Sequence, residues 1–330
     1  MIQCGAMTNL RNRLRWPEAE WDVSGAFAKD AVLLRFYDFC KKQLGYAPFA
    51  VVHGSPLFHW NCGRVLSMLQ RTDHEINTAA AEYVKRGIPV DLTFTNVNLK
   101  EADMKNMLGN RLLRFFAERC TPAMQHAVII GSDALYDHVK TNYPQLHTVS
   151  SILRITCDGG KGKLDSYLRL AEKYDKVMIH PDDVFNYDLL EKLEDKDRYE
   201  LILNEYCMRS CPIRAFHYTT MAEQAFDIDG YDTTKFNKAL SRNGCRNLSA
   251  MLTRPEVGVA ALTTPEIQPQ YDIGFRKFKL QGRAHPNAMP LINDLLRFML
   301  PEEQETDSLW LSLGVAFLES FTPVTPRNEY

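Results

Sequence analysis

Eight short β-rich runs alternate with longer amphipathic segments along this chain, and that alternation restricts the fold more than any other feature. The runs are 49–53 (FAVVH), 90–95 (VDLTFT), 127–131 (AVIIG), 147–155, 176–180 (KVMIH), 199–203 (YELIL), 257–262 (VGVAAL) and 275–280 (FRKFKL). Helices are expected between them, near 73–86, 101–119, 164–173, 184–193, 234–240 and 289–300, with one through Tyr136 and Val139 capped by Ser132 or Asp133. Continuous apolar strands with helical crossovers imply a parallel sheet. Eight such units in roughly 250 residues suit an α/β (β/α)8 TIM-like barrel better than an open doubly wound sheet. No Gly-x-Gly-x-x-Gly follows any run, which weakens a dinucleotide-binding alternative. The expected organisation is an N-terminal helical extension over 1–47, with a helix near 28–44, a barrel over 48–300, and a C-terminal tail over 301–330.

The chain's charge is almost balanced, with 39 Lys+Arg against 41 Asp+Glu in 330 residues. A protein built to coat nucleic acid is normally basic, so RNA is possible but a small molecule is favoured. No stretch approaches the roughly 18–20 apolar residues of a membrane span. The N-terminal segment, with Arg11, Arg13 and Arg15, lacks the apolar run of a secretory signal. A cytoplasmic setting is therefore expected, in which the eight cysteines are reduced and not paired as structural disulfides.

In a (β/α)8 barrel, chemistry gathers at the C-terminal ends of the strands. Applied to these runs, the rule brings His53, Asn96, Ser132, His180, Glu205, Lys279, Gln281 and Arg283 to one mouth. It also places Cys62, Cys157, Cys207, Cys211 and Cys245 in loops on that face, whereas Cys40 and Cys120 read as core thiols. His180, Glu205 and His217 are the candidate acids and bases, each with a bland alternative: a helix-start histidine, an ion pair to Arg214, a capping histidine. His53, Asn96, Arg214, Lys279 and Arg283 are the candidate substrate-binding residues. An inward lysine in a barrel is costly unless paired or used, so Lys279 and Arg283 point to a small anionic substrate.

Cys207 and Cys211, three residues apart, can reach one metal centre. The spacing leaves an iron–sulfur cluster, zinc and no metal all open. A third thiolate has to come from elsewhere, and Cys245 is best placed; Arg209, Arg214, Arg242 and Arg246 would offset the thiolate charge.

The segment from Asn204 to Tyr218, NEYCMRSCPIRAFHY, resembles the Asn-Glu-x-Cys-x-x-x-Cys-Pro-x-Arg-x-x-His motif of the U-32 peptidase-like (collagenase-like) family. The stretch from Thr264 to Arg283 resembles that family's Arg-Pro-Glu-Asp…Tyr…Gly…Phe-Lys-Ile-x-Gly-Arg block, with Thr264 in place of the arginine and Ile267 in place of the aspartate. The family's glycine-alanine-aspartate segment is not recognisable here. The resemblance implies a TIM-like barrel and an oxygen-sensitive [4Fe–4S] cluster on Cys207, Cys211 and Cys245. Cys157, Cys62 or an open iron would complete it. It further implies oxygen-independent hydroxylation, which in related proteins acts on the ubiquinone ring or on RNA pyrimidines. Two other readings stand beside it: a non-catalytic cluster-bearing subunit that works with a protein partner, and a peptidase. No Gly-x-Ser-x-Gly or His-Glu-x-x-His supports the last.

Overall fold

Strand register closes the sheet on itself. The computed structural model describes residues 14–28, 30–45, 47–62, 71–227, 233–243, 245, 259–282 and 289–300. Eight parallel strands follow one another round a closed barrel. They are β1 (Glu20–Ser24), β2 (Val51–Gly54), β3 (Val90–Phe94), β4 (Ala127–Ile130), β5 (His147–Ser150), β6 (Lys176–Met178), β7 (Tyr199–Ile202) and β10 (Lys277–Leu280). At the seam β1 lies on β10, with Asp22 opposite Lys279 and Val23 opposite Leu280. The expected (β/α)8 barrel is therefore present.

Its strand set differs from the expected one in two places. The first strand is Glu20–Ser24, so the barrel begins within the stretch expected to be a helical extension, and helix α1 (Asp30–Leu44) is its first crossover. Glu20 and Asp22 hide this strand from a search for apolar runs. Its alternation is nevertheless regular, with Trp21 and Val23 packed into the outer core. The run at 257–262 is not a barrel strand. Its described part, β9 (Val259–Ala261), pairs antiparallel with β8 (Asn204–Met208) outside the barrel. The short ribbon is anchored at Leu203, whose N–H donates to the Lys279 carbonyl (3.0 Å) and whose carbonyl accepts from Leu262 (2.7 Å). The run 147–155 also splits, because Ser151 accepts the Leu153 N–H (3.2 Å) and starts α5 (Ile152–Cys157).

Local signals fix most crossovers. Thr72 and Glu75 form a capping box on α2 (Asp73–Lys85), Asn106 caps α3 (Met107–Ala117), and Ser132 caps α4 (Asp133–Asn142) by accepting the Leu135 N–H. α6 (Leu164–Lys173) and α7 (Tyr187–Lys192) follow. α8 (Arg214–Gln224), α9 (Thr233–Arg242), α10 (Thr264–Asp272) and α11 (Met289–Met299) complete the described helices. Outward strand residues such as Val52, Leu92 and Val128 join Trp16, Trp21 and Phe278 in the core between strands and helices. Inside, Ile129, Val149, Met178 and Ile202 form a separate apolar cluster, onto which α8 lays Tyr218, Met221 and Ala222. Among the described residues no helix is long and apolar enough to cross a membrane.

Gly131, just past β4, lies against Thr95, and an added Cβ would run into the Thr95 carbonyl group. Gly131→Ala is expected to lower stability by about 1–3 kcal/mol through this overpacking, read as a shift of the urea midpoint at constant m-value.

Candidate active site at the barrel mouth

The inward faces of the strands are charged as well as apolar. Asp22 on β1, Asp91 on β3, Lys176 on β6, Glu200 on β7 and Lys279 on β10 are all charged; Lys176 is partly buried and the other four are at most 3% exposed. Lys279 is ion-paired to Asp22, and its Nζ lies 3.3 Å from Glu200 Oε2. Lys176 Nζ is 3.1 Å from Asp91 Oδ2. His53 on β2 holds Asp22 Oδ1 through Nδ1 at 2.7 Å. Burial pushes the Asp22 carboxyl up to about 6 although Lys279 pulls it back, and burial raises Glu200 as well. For Lys279 burial opposes the charge, but Asp22 and Glu200 outweigh it and keep the ammonium above its ordinary range.

Above this layer is a cavity of about 130 Å3. His53, Lys279, Ser24 and Thr93 contribute polar groups to its lining, and Ile129, Met178, Ile202 and Leu153 contribute apolar wall. The hydroxyls of Ser24 and Thr93 are buried and meet no hydrogen-bond partner. Lys279 and His53 were expected at a substrate site and do line this cavity. The Lys279 charge, however, is already matched by two carboxylates of the protein, which changes what an anion would find there.

The thiol pair lies beside the cavity. Cys207 is on β8 and Cys211 on the turn before α8. The Cys207 thiol donates to the Cys211 sulfur, which brings Cys211 down to about 6 and pushes Cys207 up. Arg214, 3% exposed at the start of α8, donates to the Met208 carbonyl (2.7 Å) and reaches Asp182 Oδ1 at 3.4 Å. Its Nε and one terminal nitrogen are buried without a hydrogen-bond partner, and its charge favours the Cys211 thiolate. His180 accepts the Asp182 N–H at Nδ1 (3.1 Å), and burial together with Arg214 holds its pKa down to about 4. Glu205 connects the two regions: it accepts the Cys207 N–H (3.1 Å) and the Gln281 side-chain N–H (2.9 Å), and Gln281 lines the cavity.

Other expected residues are placed differently. Asn96 is fully buried and braces its loop, donating to the His59 and Ala222 carbonyls and accepting the Asn98 N–H. His217 is on α8 beside Tyr218. Cys157 ends α5 and Cys245 follows α9; both pack against the inner apolar cluster, where burial pushes Cys157 up to about 11. Arg283 lies outside the described residues. Among the described residues, no three His, Cys, Asp or Glu side chains converge in a metal-binding arrangement. Cys207 and Cys211 alone are an incomplete donor set for a four-iron cluster.

Asp22, Ser24, Asp91, Thr93 and Glu200 were missed. The signal for three of them was a single charge inside an otherwise apolar strand, in WDV, VDLTF and YELIL, where the alternation turns it inward.

No family model matches this chain, and no curated protein does. Among solved structures, one described as that of the U32 peptidase Mk0906 is similar, with 12% sequence identity over 82% of this chain and 94% of the other and a TM-score of 0.48.

Proposed function

We propose that this chain is an enzyme that transforms a small molecule held in the mouth cavity, with the Cys207–Cys211 pair as its redox-active or metal-holding neighbour. The observation that carries this reading is the hydrogen-bonded path from the Cys207 backbone N–H through the Glu205 carboxylate to the Gln281 side chain, which ties the strand that bears Cys207 to the cavity wall. The finer reading is an iron–sulfur enzyme of the U-32 peptidase-like kind, performing oxygen-independent hydroxylation or a related redox modification of a small organic or RNA-linked substrate. That reading rests on the motif around Cys207 and Cys211, and it needs cluster ligands beyond those two thiols.

Anaerobic purification of the full chain, with iron and acid-labile sulfide assays and EPR, tests it. Iron and sulfide are expected in the wild type and are expected to fall to background in Cys207→Ala and Cys211→Ala. Equal cluster content in both variants would end the cluster reading. Casein cleavage that persists after iron is chelated would move the assignment to a peptidase.

A further inference from the structure

Most polar side chains around the mouth cavity are already engaged by the protein. Lys279 is paired with Asp22 and Glu200, and His53 with Asp22. Ser55 Oγ donates to the Pro56 carbonyl (3.0 Å), Cys62 Sγ to the Tyr218 carbonyl (3.4 Å), and the Gln281 side-chain N–H to Glu205 (2.9 Å). Ser151 Oγ accepts the Leu153 N–H (3.2 Å). Ser24 and Thr93 belong to the lining, but their hydroxyl oxygens are closed to a water-sized probe. The wall open to a guest is chiefly hydrocarbon, from Phe27, Ile129, Ile152, Leu153, Met178 and Ile202.

Charge favours the same kind of guest. Lys279 and His53 are the basic side chains on the lining, and among the described residues no carboxylate is on it. The ionic layer beneath has three carboxylates (Asp22, Asp91, Glu200) against two ammonium groups (Lys176, Lys279). With the His53 ring neutral the layer has a surplus of negative charge; with the ring protonated, three cations meet three anions. In neither state is a cation left over for an anionic ligand, and a cationic ligand finds no carboxylate on the wall. A charge placed in an apolar cavity without a partner is costly.

We propose that the cavity takes a small, uncharged, predominantly hydrocarbon molecule, recognised by size and shape, and excludes carboxylates and ammonium compounds alike. Its volume of about 130 Å3 is close to the roughly 150 Å3 of an apolar protein cavity that takes benzene. Met178 contributes an unbranched thioether that adapts to the guest's outline. Lys279, which the sequence marks as an anion-binding residue, is instead part of the floor, where its ammonium is matched by Asp22 and Glu200. This inference rests on the mouth cavity being the substrate site, as proposed above, but on neither the cysteines nor any catalytic step.

The test uses the full chain at pH 7 and three probes of similar size, toluene, benzoate and benzylammonium, titrated by saturation-transfer NMR. Toluene is expected to bind at least about tenfold more tightly than either ion, the least that a buried charge without a partner should cost. Ile129→Phe and Leu153→Phe fill the cavity from a strand and from a helix, and each is expected to abolish toluene binding with the fold intact by circular dichroism. Asp22→Asn combined with Glu200→Gln leaves Lys279 without its two carboxylates, and is expected to raise benzoate affinity at least about tenfold. Benzoate or benzylammonium binding to the wild type as tightly as toluene overturns the uncharged class and leaves the cavity as substrate site. No binding of any probe, or toluene binding unchanged in both folded filling variants, overturns the cavity as substrate site and this inference with it. Benzoate no tighter in the folded double variant overturns the ionic layer as the cause of exclusion. The wild-type comparison decides the ligand class whether or not the variants fold.

Discussion

Lys279→Met is expected to lower the free energy of unfolding by about 3–5 kcal/mol, the usual cost of removing one partner from a buried ion pair. Lys279 stands between Asp22 and Glu200 inside the barrel, and without it the two buried carboxylates lose their directly paired cation, with Lys176 left as the more distant one in the layer. The loss should therefore come from stranded charge more than from lost packing, since methionine fills much of the same volume. Adding Asp22→Asn and Glu200→Gln to Lys279→Met is expected to recover most of the stability, because a buried ionic group replaced as a set is often close to neutral. Urea unfolding followed by circular dichroism measures both. A single-variant loss below about 1 kcal/mol, the level of an exposed pair, would mean that water reaches this layer freely.

Acid is expected to weaken the fold through His126. Its ring is fully buried at the base of the barrel, Nδ1 accepts the Val90 N–H at 3.0 Å, and burial holds its pKa down to about 4 from 6.5. The unfolded chain therefore takes up this proton near pH 6.5, and the folded chain does so only near pH 4. The stabilisation is complete above pH 6.5 and is lost as pH falls through that window, by about 3 kcal/mol in all. Asp22 works in the opposite sense, since its carboxyl is raised to about 6 and favours the folded state at lower pH. The effect of His126 is thus best read as a difference: the stability advantage of the wild type over His126→Gln should shrink by most of that amount between pH 7 and pH 4.5. A difference that stays level across the series would mean that the ring is charged in the folded protein.

Seven of the eight barrel strands and most of the helices were legible because their apolar residues recur at the expected period and their caps are local, whereas α5, α8 and α10 were not expected. β1 was not, because its inward face is acidic and its stability comes from Lys279 and His53, which are distant in sequence. The opposite error at 257–262 has the matching cause. Val259–Ala261 is apolar enough for a barrel strand, but its partner is the ribbon strand after β7, and nothing local records that pairing. At the candidate site, residue type and strand-end position were enough to place His53 and Lys279 on the lining of the mouth cavity. The division of labour was not visible, because Asp22 and Lys279 neutralise each other only once β1 and β10 meet.

That meeting has a consequence for how the chain is made. Asp22 and Lys279 are 257 residues apart, so β1 leaves the ribosome long before β10 exists to pair with it. At about 5–20 residues per second, the delay is on the order of ten to fifty seconds. Throughout it, β1 has an unpaired edge and an acidic inner face without its lysine. Closure must therefore be a late event that couples the first and last strands, and a nascent chain truncated before residue 277 should remain a target for chaperones and proteases.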